Sequence, residues 1–294
     1  MTTDCFRPAR RQFLQSAAGL AAGAFVGHAA AQAALNDRFE LSIHQYSLKK
    51  LFEAGTIDTF AYPDFVHRQF GLTSIEFAVE FCQALRADAG KCKALADRSK
   101  QLGISHRALL CGAEPALDVP SEEDRRAAVQ DHLKWAKVAE HLQCDFIRVR
   151  ASSEGERNEQ LDHAASGISA LCEALADSPV AVLVENITGF SRDPDWLVEL
   201  IDRVGPDRLG LIADFGNFER DVYAGMKRLL PYAKSICTKS WNFDEQGNET
   251  KIDFGRMMSL IKESSFRGCI AIEYLGEEPV AGVRKTAELI KRWS

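Results

Sequence analysis

The sequence predicts an α/β fold, a single (β/α)8 barrel over residues 38–294, on three observations. Short apolar runs alternate with amphipathic segments, eight of each in turn. The roughly 260 residues they occupy match a closed barrel better than an open doubly wound sheet. The fifth and sixth runs, 180–184 and 209–213, each end in a carboxylate, Glu185 and Asp214. Parallel strands covered on both faces read as continuous apolar runs. An acid closing such a run costs desolvation energy unless a polar or cationic partner meets it. Two acids placed alike on neighbouring strands therefore point to one shared site at the carboxyl-end rim, where chemistry sits in such barrels.

The elements follow in order. Residues 39–48 (FELSIHQYSL) read as the first strand, 51–69 as the first helix and 73–77 as the second strand. A helix over 91–102 stops at Gly103, and 104–111 make the third strand. Ser121-Glu122-Glu123-Asp124 is a capping box ahead of a helix ending near Leu142. A strand over 145–150 and a helix over 158–176 come next. Between the acid-ended runs, Asp193-Pro194 opens a helix and Gly205-Pro206 closes it, the expected punctuation. Helix 220–230, strand 234–239, helix 255–263, strand 269–274 and helix 283–293 complete the alternation. Residues 241–254 form an insertion, with hairpin-turn chemistry at Asp244-Glu245-Gln246-Gly247-Asn248. No strand is followed by G-x-G-x-x-G and no P-loop occurs.

The 294-residue chain is 46% hydrophobic and 27% charged, ordinary values for a globular protein. Its net charge of −6, without a basic patch, argues against nucleic acid as a partner. Residues 1–33 read as a twin-arginine export signal: Arg10-Arg11-Gln12-Phe13-Leu14, the small apolar run 16–26, then Ala31-Gln32-Ala33 as cleavage site. The run is too short for a membrane anchor, so no stable membrane association is expected. The expected location is the periplasm, reached through the twin-arginine machinery. Removing Arg7, Arg10, Arg11 and Asp4 takes the net charge from −6 to −8. Seven cysteines then remain, an odd number without framework spacing, so free buried thiols are expected rather than disulfides. Nothing in the sequence fixes the oligomeric state, and a homo-oligomer stays open.

Under this register His44, Gln45, Glu76, His106, Arg148, Arg150, Glu185, Asp214, Lys239 and Glu273 fall at strand ends. Each alone is more readily a cap or a brace than a catalytic group. Ionisable ends on four successive strands, the fifth to the eighth, are harder to explain by packing. A hard, oxygen-rich set of this kind suits Mn²⁺ or Mg²⁺.

The motifs Val184-Glu185-Asn186, Gly210-Leu211-x-x-Asp214-x-Gly216, Lys239-Ser240 and Ile272-Glu273-Tyr274 resemble those of the xylose-isomerase-like TIM barrels. This superfamily includes sugar and sugar-phosphate isomerases and epimerases and endonuclease IV. The resemblance implies that Glu185, Asp214 and Glu273 hold a divalent metal and that Glu185 and Glu273 move the proton. His44, Glu76, His106 and Arg150, as strand-end residues, and Asn217, at a position where the family often has a His, are the expected substrate contacts. Two departures stand out. The strand-seven His is replaced by Cys237 or Thr238, and all seven His precede the fifth strand. Asn217 stands where a His often contacts substrate. Lys239 offers an alternative to the metal, because its ammonium could neutralise the acids. Cys237 as a ligand would turn the preference to Zn²⁺.

The expected function is proton transfer at a carbon next to a sugar carbonyl, an isomerase or epimerase acting on a non-phosphorylated carbohydrate. A keto-glycoside lyase or hydrolase on the same scaffold, and a sugar-binding barrel without catalysis, are the alternatives. Endonuclease IV chemistry is excluded by the missing late histidines and the acidic charge.

Overall fold

Alternation along each strand decides where every side chain goes, because successive residues point to opposite faces. In the computed structural model, which describes residues 38–151 and 155–294, the eight runs pair in parallel. They close into a barrel in sequence order, with the last strand pairing the first. The strands are β1 Phe39–His44, β2 Ser74–Ala78, β3 Ser105–Leu110, β4 Phe146–Val149, β5 Ala181–Glu185, β6 Leu209–Asp214, β7 Ala233–Ser240 and β8 Gly268–Tyr274. The helices are α1 Lys49–Glu53, α2 Tyr62–Phe70, α3 Ala89–Gln101, α4 Glu122–Leu142, α5 Arg157–Ala174, α6 Pro194–Val204, α7 Val222–Leu229, α8 Phe254–Glu263 and α9 Pro279–Trp293. The predicted fold class is the observed one. The export segment and its cleavage site lie outside the described residues.

Two apolar clusters follow from the alternation. Ile43, Phe77, Leu109, Val149, Val184, Ala213, Ile236 and Ile272 belong to a large cluster between sheet and helices. Ala78, Ala108, Leu110, Phe146, Leu183, Ile212 and Cys237 form a separate cluster inside the barrel. The interior set lies two residues from the strand-end acids and cations, so the same inward face carries first apolar and then charged groups. The amino-end mouth is closed by Arg107, which pairs with Glu40 and with Asp145 at 2.6 Å and bonds Ser74 Oγ at 3.0 Å.

Local signals behave as their chemistry demands. Ser121 accepts from Asp124 N at 3.2 Å at the start of α4, and Asp193 accepts from Asp195 N at 3.0 Å before Pro194 opens α6. Phe243 and Glu249 form an antiparallel bridge around the Asp244–Asn248 turn. Two expected elements are corrected. The strand predicted over 39–48 ends at His44, and Gln45–Leu48 form a 3-10 turn. The helix predicted over 51–69 is interrupted: α1 ends at Glu53 and α2 starts at Tyr62, with Gly55 at φ 66° between them. Among the described residues no helix is long and apolar enough to cross a membrane.

Candidate active site

Asp214 is fixed first by its backbone. Asn186, fully buried just past β5, accepts from Asp214 N at 2.8 Å and donates to Asp214 O at 2.9 Å. A side-chain amide thus imitates one more pair of strand hydrogen bonds beyond the last β5–β6 register pair, Glu185 and Ile212. The Asp214 carboxylate then accepts from Gly216 N at 2.6 Å and from Asn217 Nδ2 at 2.7 Å. Burial raises its pKa, and the Lys239 charge opposes that rise.

Lys239 reaches this carboxylate from β7. Its Nζ stands 2.9 Å from Asp214 Oδ2, 3.2 Å from Glu273 Oε2 and 2.8 Å from Asn217 Oδ1. An ammonium has three N–H donors, and here it meets three acceptors. Burial works against the Lys239 charge, but Asp214 and Glu273 outweigh it and hold the pKa above the ordinary lysine value. Glu273 is paired in register with Lys239 across β7 and β8, and it also accepts from Cys237 Sγ at 3.4 Å.

Glu185 faces a different cation. Arg148 Nε lies 3.1 Å from Glu185 Oε2, and Arg148 Nη1 donates to Cys111 O at 3.0 Å. Both members of the pair are almost wholly buried. Burial nevertheless pushes Glu185 up to about 8, with Arg148 pulling down and Asp214 and Glu273 pushing further up. Near neutral pH this makes Glu185 a protonated acid inside a cluster of acids. Of the four ionisable ends on β5–β8, Lys239 at 12% and Glu273 at 11% side-chain exposure are the ones open to the mouth.

The other predicted contacts divide. His44 is buried at the carboxyl end of β1, with Nδ1 accepting from Tyr46 N at 3.3 Å and its ring stacked on Tyr46 at 5.0 Å. Burial, then Arg148 and Lys239, lower its pKa well below the usual value, so it is a neutral imidazole. Arg150 is half-buried beside Gly112, where a Cβ would stand 2.8 Å from Arg150 Nη2 and 3.0 Å from Glu80 Oε1. Asn217 is spent on Lys239 and Asp214 rather than left free.

Two expectations need correction. Glu76 is an interior residue one side-chain layer below the mouth, accepting from Ser42 Oγ at 2.9 Å and only 2% exposed. Burial pushes it up to about 7. His106 lies near the start of β3 and faces the helical layer, with Nδ1 at 2.7 Å from Leu142 O and its ring edge-on to Phe77. One residue of register turned its side chain out of the barrel. Of the two candidates for the strand-seven position, Cys237 points inward, whereas Thr238 faces outward and bonds Ala271 O at 2.8 Å. The sequence reading missed Tyr46 and Glu80, which hydrogen-bond each other beside His44. Tyr46 follows a strand in a single 3-10 turn, and Glu80 lies in another; neither has a periodic signal.

The pattern of the xylose isomerase-like TIM barrel family matches residues 39–293. No curated protein sequence matches the chain. Among solved structures, the chain is similar to D-psicose 3-epimerase of Clostridium cellulolyticum H10, crystallised with D-tagatose, at 13% identity and TM-score 0.68, covering 86% of this chain and 94% of that one. It is also similar to the 3-keto-D-glucoside 4-epimerase YcjR of E. coli, at 13% identity and TM-score 0.67, over 87% of this chain and all of the other. A third, the IolI protein with a bound zinc atom, shows 13% identity and TM-score 0.69 over 87% and 99%. These likenesses establish the fold.

A divalent metal can be tested against the donors present. Glu185, Asp214 and Cys237 each bring one ligand atom within 4.8 Å of the others. Spacing alone would admit an ion. The chemistry does not: Asp214 and Glu273 are held by Lys239, and Glu185 by Arg148. Cys237 keeps its proton and donates it to Glu273, since burial and then the surrounding acids push the thiol up. The three acids predicted as metal ligands, Glu185, Asp214 and Glu273, are brought together, but around protein cations. As arranged, the set does not fit a metal.

Proposed function

The chain belongs to the xylose isomerase-like TIM barrel family, and from that premise we propose that it is a carbohydrate isomerase or epimerase, moving a proton at a carbon next to a carbonyl. One observation carries the reading. Glu185, held protonated up to about 8, shares a buried cluster with Glu273, whose oxygen accepts from Lys239 and Cys237. An epimerisation needs such a pair, one carboxylate to take the carbon-bound proton and one acid to return a proton to the same carbon from the other face. Glu273 is the base, because it is the acid open to the mouth; Glu185 is the acid. Arg150, Tyr46 and Glu80 supply polar contacts for sugar hydroxyls beside His44.

Substrates of D-psicose 3-epimerase and of YcjR are sugars without phosphate, by the names of those proteins. A free sugar, sugar acid or oxidised glycoside fits this chain in the same way, since export through residues 1–33 would remove it from the cytosolic sugar phosphates. A lyase on a keto-sugar begins with the same proton removal and is covered by the same residues. Calorimetric titration with free sugars and keto-sugars, paired with a turnover assay on each ligand that binds, tests the reading. Turnover supports it. Tight binding without turnover of any ligand assigns a binding protein instead.

A further inference from the structure

We propose that Lys239 is a built-in cation standing where related barrels use a divalent metal, so that the chemistry of this chain is metal-independent. The inference rests on the carbon-acid reading above, and it comes from how completely the site is arranged around one ammonium. Three N–H donors meet Asp214, Glu273 and Asn217 at 2.9, 3.2 and 2.8 Å. Two of these acceptors are acids that a metal would need. The third, Asn217, is itself tethered to Asp214 at 2.7 Å, so the amide bridges the cation and its counter-ion.

The backbone has been shaped for the lysine as well. A Cβ at Gly216 would stand 2.7 Å from both Cβ and Cδ of Lys239 and 2.9 Å from Cγ. These are stem atoms rather than the mobile tip, so the lysine lies along a groove that only a glycine leaves open. Gly216 has no left-handed φ to explain its presence. The space, not the backbone angle, requires it. Cys237 completes the case. It occupies the inward strand-seven position with its Sγ 3.4 Å from Glu273 Oε2, so this acid is met by the thiol as well as by the ammonium.

The step then balances within the chain. Glu273 takes the proton from the carbon next to the carbonyl, and the C–H electron pair becomes the new C=C bond. The carbonyl π pair moves to oxygen, which accepts a hydrogen bond from Lys239 Nζ in place of the neutral Asn217 Oδ1. Glu185 returns a proton to that carbon from the other face: the C=C pair becomes the new C–H bond, the oxygen pair re-forms the carbonyl, and the product is an epimer with nothing oxidised or reduced. A charged donor held in a water-poor site stabilises a developing oxyanion strongly.

The test uses the mature wild-type protein, soaked in turn with Mn²⁺, Mg²⁺ and Zn²⁺, desalted and analysed for metal. Less than about one-tenth of an equivalent is expected to remain, against about one equivalent for a resident metal. Solvent-deuterium exchange into substrate is expected to survive EDTA and to fall at least ~100-fold in Lys239→Met. Retention of one equivalent by the wild type, loss of exchange on chelation, or wild-type exchange in Lys239→Met each overturn the proposal. The metal measurement needs neither a variant nor a substrate. Absence of exchange with every sugar would defeat the isomerase reading while leaving this one to be decided by metal content.

Discussion

Lys239 lies so close along Gly216 that a Cβ on the glycine would come within 2.7 Å of two of the lysine's stem carbons. The glycine therefore fixes the path of the cation, and through it the distance to Asp214 and Glu273. Gly216→Ala should cost about 1–3 kcal/mol, the usual range for overpacking a filled site. Urea unfolding of the variant against the wild type checks this. An unchanged midpoint would mean that the lysine stem moves aside freely.

Arg148 and Glu185 form a buried pair at 3.1 Å, and removing one member of such a pair is costly. Arg148→Met should lose about 3 kcal/mol, because Cys111 O and the Glu185 carboxyl both lose their partner. Glu185→Gln in the same chain should recover part of that loss above about pH 8, where Glu185 is ionised, since the amide leaves no charge to compensate. A double-mutant cycle in denaturant reads the coupling directly; additivity of the two changes would dismiss it.

Glu76 supplies a pH test that does not depend on function. Its folded pKa of about 7 lies above the ordinary 4.5, so the native state keeps the proton longer than the unfolded chain. Stability from this group is complete below about pH 4.5 and is lost as pH rises through 7. Glu76→Gln removes that loss while keeping an acceptor for Ser42. The variant should gain roughly 3 kcal/mol on wild type between pH 5 and pH 8. Parallel denaturation curves at the two pH values decide it, and an equal difference at both would contradict the assignment.

The proposed export signal is tested by Arg10→Lys combined with Arg11→Lys. The double variant should stay in the cytosol as precursor, while the wild type is recovered from the periplasm with its chain starting near Ala34. Normal delivery of the double variant would remove the argument for a twin-arginine signal.

Most of the barrel was readable because parallel strands covered on both faces produce apolar runs that little else produces. The punctuation at Asp193-Pro194 and Gly205 placed α6 to the residue. The first helix reads too long because Ala54, Ile57, Phe60 and Ala61 keep helical spacing, whereas Gly55 at φ 66° turns the chain out of the helix. At the site, Glu185, Asp214, Lys239 and Glu273 were legible as strand-end charges. The sequence could not say which charge meets which. His106 shows why: it is the second residue of β3, and with a side-chain period of two a register error of one residue turns a side chain from the barrel interior to the helices. Asn186 and Gly216 were visible as motif letters only. Their work, one imitating a strand and the other vacating space, depends on neighbours distant in sequence.

The central claim, carbon-acid chemistry by Glu185 and Glu273, is tested most directly by solvent-deuterium incorporation. The protein is incubated in deuterium oxide with a panel of free sugars and keto-sugars, and each is analysed by proton NMR. With at least one substrate, deuterium should enter at a carbon next to the carbonyl, and Glu273→Gln should abolish it. Glu185→Gln should lower the rate by about 100-fold or more, and the wild-type rate should fall as pH rises through about 8, where Glu185 loses its proton. Incorporation that persists in both variants, or none with any sugar in the folded wild type, would contradict the account.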